Sequence, residues 1–123
     1  MTFLVGVETA PLAMVEAGEL PSVSEALLDA LAASRWAQDP VTTFRDNDGV
    51  VGARFFIEAQ SLSEVNWSSL VSNFLRCVVL AVNDVVPGDR LPVGTTFESG
   101  PGEIRAEPET MLARVQVEQA PAA

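Results

Sequence analysis

Histidine, lysine and tyrosine are absent from this chain, and cysteine occurs once. No imidazole is available as a general base, as partner to a serine nucleophile, or as a zinc ligand. No lysine amine can form a Schiff base, and Cys77 has no second cysteine with which to close an intrachain disulfide. Its place in the apolar run "CVVLAV" predicts a small buried hydrophobe, since a reactive thiol needs exposure and positive surroundings. Catalysis would have to rest on carboxylates, arginine, hydroxyls or the one thiol, and none of these forms a nucleophile, acid-base or phosphate-cradle pattern. The expectation is a protein that is not an enzyme, with no catalytic residue, no cofactor and no metal ligand. "DNDG" at residues 46–49 does not make a calcium loop, because alignment on that motif puts Phe44 and Phe55 at its first and last ligand positions.

What is present is acid. Seventeen Asp and Glu face seven basic residues, all arginine, for a formal net charge of -10. Such a surface repels nucleic acid and anionic membrane, and favours solubility or a basic protein partner. The chain has 123 residues, of which 48% are hydrophobic, enough for a single ordinary core. "MTFLVGVE" lacks a basic stretch and a long apolar run, so no signal peptide is expected. "CVVLAV" is too short for a membrane span. The expected location is the cytoplasm, or a virion if the chain is phage-encoded.

Alternation of Phe3, Val5 and Val7 predicts a first strand over Thr2 to Glu8. "PSVSEALLDALAASRW" predicts a helix with Val23, Leu27, Ala30 and Leu31 on one face. Ser22 and Glu25 form a capping box at its start, and Asp39-Pro40 is its stop. "VTTFRDNDGVVGARFFIEAQ" predicts a hairpin: Val41 to Arg45, a turn at "DNDG", then Val50 to Gln60. Ser61 and Glu64 form a second capping box, opening a helix whose apolar arc runs from Trp67 through Leu70, Phe74, Cys77 and Val78 to Val82. Val79 and Leu80 fall on its otherwise polar side. The β-branched "CVVLAV" also suits a strand, but the arc continues into it unbroken and predicts helix.

Residues 84–110 hold four of the eight prolines and four of the eight glycines. They predict an extended loop or a hairpin arm with short strands around Thr95–Glu98 and Glu103–Ala106. Val85, Val86, Leu91, Val93 and Phe97 are suitable lids for Val79 and Leu80. "MLARVQV" is the last strand, and residues 120–123 fray. The whole predicts one α+β domain over residues 1–119: a ferredoxin-like βαββαβ two-layer sandwich with a long Pro/Gly-rich excursion before the final strand.

In that plan Ala53, Phe55, Ile57 and Ala59 pack under the helices. Arg54, Phe56, Glu58 and Arg114 then line the opposite sheet face, with Leu4 beside them. Aromatic and arginine side chains are the usual anchors of protein interfaces. The candidate interface is therefore Arg54, Phe56, Glu58, Arg114, Val79, Leu80 and Phe97. Arg54 and Glu58, on one strand face, also suggest a surface ion pair.

The succession of "SEALLDALAAS", "ARFFIEAQSLSE" and "MLARVQVEQ", over roughly Ser22 to Glu118, resembles the tail-terminator proteins of long-tailed phages. The resemblance lies in the order of elements, and the N-terminal strand departs from the pattern. It implies a ring at the end of the tail that meets the head. The leading expectation is a non-enzymatic structural or interaction subunit that forms a homo-oligomer, with other protein subunits as further partners. Two alternatives stand beside it. One is a small cofactorless enzyme or ligand-binding dimer using Glu58, Arg54 and Cys77. The other is an acidic inhibitor of a nucleic-acid-binding protein, which requires carboxylates in a row along one face.

Overall fold

The computed structural model describes residues 2–90 in full and three later strands as backbone: residues 96–100, 103–107 and 111–119. The chain runs β1 (Thr2–Thr9), α1 (Leu20–Ser34), β2 (Gln38–Arg45), β3 (Val50–Glu58), α2 (Trp67–Val85), β4 (Thr96–Gly100), β5 (Glu103–Glu107) and β6 (Met111–Gln119). This is an α+β fold, as its hydrophobic periodicities predict. The strands form one sheet in the order β2-β3-β1-β6-β5-β4, and every neighbouring pair is antiparallel. The excursion after α2 thus contains a hairpin, β4 with β5.

Alternation decides which side of each strand is buried. Phe3, Val5 and Val7 of β1 enter the core together with Val51, Ala53, Phe55 and Ile57 of β3. The helices cover them. α1 lies against β2 and β3, and α2 packs beside α1 and next to β4, β5 and β6. Val23, Leu27 and Leu31 of α1, and Leu70, Phe74, Leu75, Cys77, Val78, Ala81 and Val82 of α2, complete the core. Trp36 meets Phe55 edge to face, with ring centroids 5.0 Å apart, the arrangement that the ring quadrupole favours. α2 is long and apolar enough, by length and composition, to cross a membrane. In the fold, its apolar arc packs against the rest of the core.

Two buried polar side chains sit between the layers, and both are bonded. Ser24 donates its hydroxyl to Thr42 (3.0 Å), and the Thr42 hydroxyl donates to the Ser24 carbonyl (2.9 Å), tying α1 to β2. Thr9 accepts from the Val51 amide at 3.2 Å. No buried side-chain polar atom lacks a partner among the described residues.

Both expected capping boxes are corrected. α1 begins at Leu20, ahead of Ser22, as the continuation of a 3-10 turn over Ala17–Glu19, with Pro21 in its first turn. The reciprocal bonds that start it belong to Glu16 and Glu19: the Glu16 amide donates to the Glu19 carboxylate at 2.9 Å, and the Glu19 amide to the Glu16 carbonyl at 2.9 Å. Proline in the first turn has no amide to satisfy and a φ already suited to helix. Ser61 precedes only a short 3-10 turn at Leu62–Glu64 and makes no cap bond there. The cap of α2 is Asn66, whose side-chain oxygen accepts from the Ser69 amide at 3.0 Å.

The stop of α1 is also corrected. Arg35, in the left-handed region at φ 67°, ends the helix after Ser34. Asp39-Pro40 lies inside β2, where Asp39 has φ 49° and the pairing register shifts between Gln38 and Val41. The bulge relieves the conflict between proline and a continuous ladder.

Candidate interaction surface

The sheet face away from the helices is built from the even-numbered residues of β1 and β3. Leu4 pairs with Phe56, Gly6 with Arg54 and Glu8 with Gly52. On the outer side Val41 pairs with Arg54 and Thr43 with Gly52. On the inner side the backbone register places Glu118 beside Leu4, Gln116 beside Gly6 and Arg114 beside Glu8. Leu4 and Phe56 are half-buried, and Val41 is 58% exposed. Leu4 and Phe56 make an apolar pair that no helix among the described residues covers, and Val41 stands beside Arg54 in the neighbouring row.

Charge sits at the two ends of this face. At one end Arg45 bridges Glu8 (3.2 Å) and Asp48 (3.0 Å), and Gly52 leaves room beneath them. A Cβ there would stand 3.0 Å from the Val7 carbonyl, 3.1 Å from Glu8 Cγ and 3.2 Å from Thr43 Oγ1. At the other end Glu58 accepts a hydrogen bond from the Thr2 hydroxyl. The expected Arg54–Glu58 ion pair does not form. Four residues along a strand separate the two by about 13 Å, whereas the same spacing on a helix would bring them together. Arg54 is exposed and makes no ion pair among the described residues.

Arg54, Phe56 and Glu58 thus share one face, as expected. Val79 and Leu80 do not join them, because α2 lies on the other side of the sheet. Val79 packs against the core, while Leu80 is 62% exposed. Leu80 stands among Ser69, Asn73, Arg76, Asn83 and Asp84 on the polar side of its helix. Of the proposed lids, Val86 is buried and Val85 partly so. Leu91 and Val93 lie outside the described residues, as do the side chains of Phe97 and Arg114. Val41 is the residue that sequence reasoning missed. Counting back across the four-residue turn from the Arg45–Val50 pair puts it beside Arg54, a step open to sequence alone once the turn is placed.

Glu58, Arg54 and Cys77 do not converge. Cys77 is buried in α2, and burial pushes its thiol pKa up, away from the thiolate. Glu58 borders a shallow open cleft of about 270 Å³ with Trp36, Ile57, Glu64, Val65 and Asn66, and neither Arg54 nor Cys77 reaches it. No cluster of three or more metal-ligating side chains occurs among the described residues. Carboxylates are spread over the open face (Glu8, Glu58), α1 (Glu25, Asp29), the hairpin turn (Asp46, Asp48) and the end of α2 (Asp84). Among the described residues they form no single row.

Comparisons with protein-family models, curated proteins and solved structures returned no match.

Proposed function

We propose that this chain is a non-enzymatic structural subunit that self-assembles, with protein rather than nucleic acid or membrane as its partner. We read its body as the ferredoxin-like plan β1-α1-β2-β3-α2-β6, with the β4–β5 hairpin added beyond β6. The order β2-β3-β1-β6 with antiparallel neighbours supports that reading. The observation that carries the function is the sheet face that the described residues leave uncovered, where the Leu4–Phe56 pair and exposed Val41 stand among Arg54, Glu8 and Glu58. Antiparallel sheets tolerate water on one face when that face is polar; here Leu4 and Phe56 stand side by side, with Gln38 and Glu118 beyond them. A ring component of a phage tail or connector is the setting suggested by the order of elements.

Light scattering at micromolar concentration tests the proposal. The wild-type chain is expected to scatter as an oligomer, and Phe56→Asp to lower that mass. A monomeric wild type, unchanged by Phe56→Asp, would remove the basis for it.

A further inference from the structure

We infer that Asp48–Gly49, in the turn between β2 and β3, is the chain's site of aspartate isomerisation, and that the folded turn holds the reaction off with Arg45 as its latch. The chemistry is intramolecular. The Gly49 nitrogen bonds to Asp48 Cγ, and a carboxyl oxygen leaves as water with the amide hydrogen and the carboxyl proton, closing a succinimide ring. Water then opens the ring. Attack at Cγ restores aspartate. Attack at the Asp48 main-chain carbonyl breaks its bond to nitrogen and leaves the chain running through Cγ, as isoaspartate. The water lost in the first step returns in the second, so the product is an isomer and nothing is oxidised or reduced.

Three observations lead there. The first lies in the sequence. A side chain on the following residue shields the attacking nitrogen, and glycine has none. Among the aspartates and asparagines of the chain, Asp48 alone precedes a glycine. Pro40, after Asp39, has no amide hydrogen to give up. Asp29, Asn73, Asn83 and Asp84 lie inside α1 and α2, where amides are bonded along the helix.

The second is access. The Asp48 side chain is 51% exposed, so water reaches the carboxylate and any ring formed from it.

The third is that one residue holds both reacting groups. The Gly49 amide donates to the Arg45 carbonyl at 3.0 Å, and Arg45 Nε lies 3.0 Å from Asp48 Oδ2. Arg45 therefore engages the nitrogen with its main chain and the carboxylate with its side chain. The Gly49 carbonyl in turn accepts from the amide of buried Leu12 at 2.9 Å, which pins the turn to the body. Cyclisation must give up the amide hydrogen bond and swing the carboxylate from Arg45 toward the nitrogen, so it proceeds from an opened turn. The two holds differ in weight. An ion pair this exposed biases the carboxylate by no more than about fivefold. The main-chain bonds and the Leu12 anchor carry the larger share. Isoaspartate adds a main-chain carbon to a turn whose ends are fixed by the Arg45–Val50 pair, so the modified hairpin closes less well.

Peptide mapping by mass spectrometry provides the test, with electron-transfer fragmentation to tell isoaspartate from aspartate. The full chain is incubated at neutral pH, and circular dichroism confirms that each variant is folded. In guanidinium chloride, isoaspartate is expected to accumulate at residue 48 ahead of every other position, and in native protein at least about tenfold more slowly. Arg45→Ala frees the carboxylate but keeps the main-chain bond, and is expected to speed the native reaction about two- to fivefold. Arg45→Met, which keeps the stem and drops the charge, is expected to match it. Glu8→Gln removes the other partner of Arg45 and is expected to leave the rate at the wild-type value. Unfolded chain that isomerises first at another residue overturns the site. A native rate equal to the unfolded one overturns the protection by the turn. Arg45 variants no faster than wild type, or Glu8→Gln as fast as they are, overturn the latch.

Discussion

Arg90 and Glu19, 71 residues apart in sequence, form a two-point ion pair: Nη1 donates to Oε1 at 2.9 Å and Nη2 to Oε2 at 2.6 Å. The same guanidinium donates to the Met14 carbonyl at 3.3 Å and lies 3.6 Å from Glu16. The pair clasps the segment after α2 to the turn that starts α1. The hydrogen bond from Arg90, helped by the Glu16 amide, holds the Glu19 carboxyl below its ordinary pKa, against a smaller opposing effect of desolvation.

A pH dependence follows. A carboxyl with a lowered folded pKa stabilises the protein above the unfolded carboxylate pKa of about 4.3, and that contribution disappears as the pH falls through the folded value. Wild type is expected to exceed Arg90→Ala in urea midpoint at pH 7, and the gap to narrow as the pH approaches 3. A gap that stays constant over this range would mean that Arg90 acts through packing alone.

The helix caps give a paired comparison. Asn66→Ala removes the acceptor for the Ser69 amide and is expected to cost about 1 kcal/mol. Ser61→Ala, at the residue that looks more like a cap in the sequence, is expected to change stability by less than about 0.5 kcal/mol. Equilibrium denaturation separates the two, and equal losses would restore Ser61 to the role of cap.

Gly52→Ala is expected to destabilise by about 1–3 kcal/mol, the usual range for overpacking a filled site. The added methyl would meet the Val7 backbone carbonyl at 3.0 Å, and backbone yields less readily than a side chain. Glu8 and Thr43 would also be displaced, so loosening of the Arg45–Glu8 contact should accompany the loss. A thermal melt unchanged from wild type would show that the β1–β3 ladder absorbs the methyl.

Cys77 should react slowly with a thiol reagent such as DTNB in native protein and rapidly in denaturant, because burial shields the sulfur and disfavours its thiolate. Cys77→Ser is expected to cost about 1–3 kcal/mol by placing a hydroxyl in an apolar site. Rapid native labelling without unfolding would contradict the burial.

Much of this architecture is legible in the sequence, and the reasons are local. Phe3, Val5 and Val7 can share a face only as a strand, and the arc from Trp67 to Val82 can share one only as a helix. The turn at residues 46–49 is readable because Gly49, at φ 68°, adopts a conformation that side chains resist. The candidate face followed from the same alternation, which put Arg54, Phe56 and Glu58 on one side of β3. The helix starts were less legible, because Ser-x-x-Glu marks a possible cap without saying which of several nearby polar groups reaches a free amide.

The sequence alone therefore determined the periodicities, the order of elements and the division of β3 into a covered and an uncovered side, since each depends on neighbours a few residues apart. Only the tertiary structure decided that Arg90 meets Glu19, that Arg45 bridges Glu8, and that Ser24 is bonded to Thr42. Those outcomes depend on distances between segments remote in the chain, which strand register and layer packing fix and which no local pattern encodes.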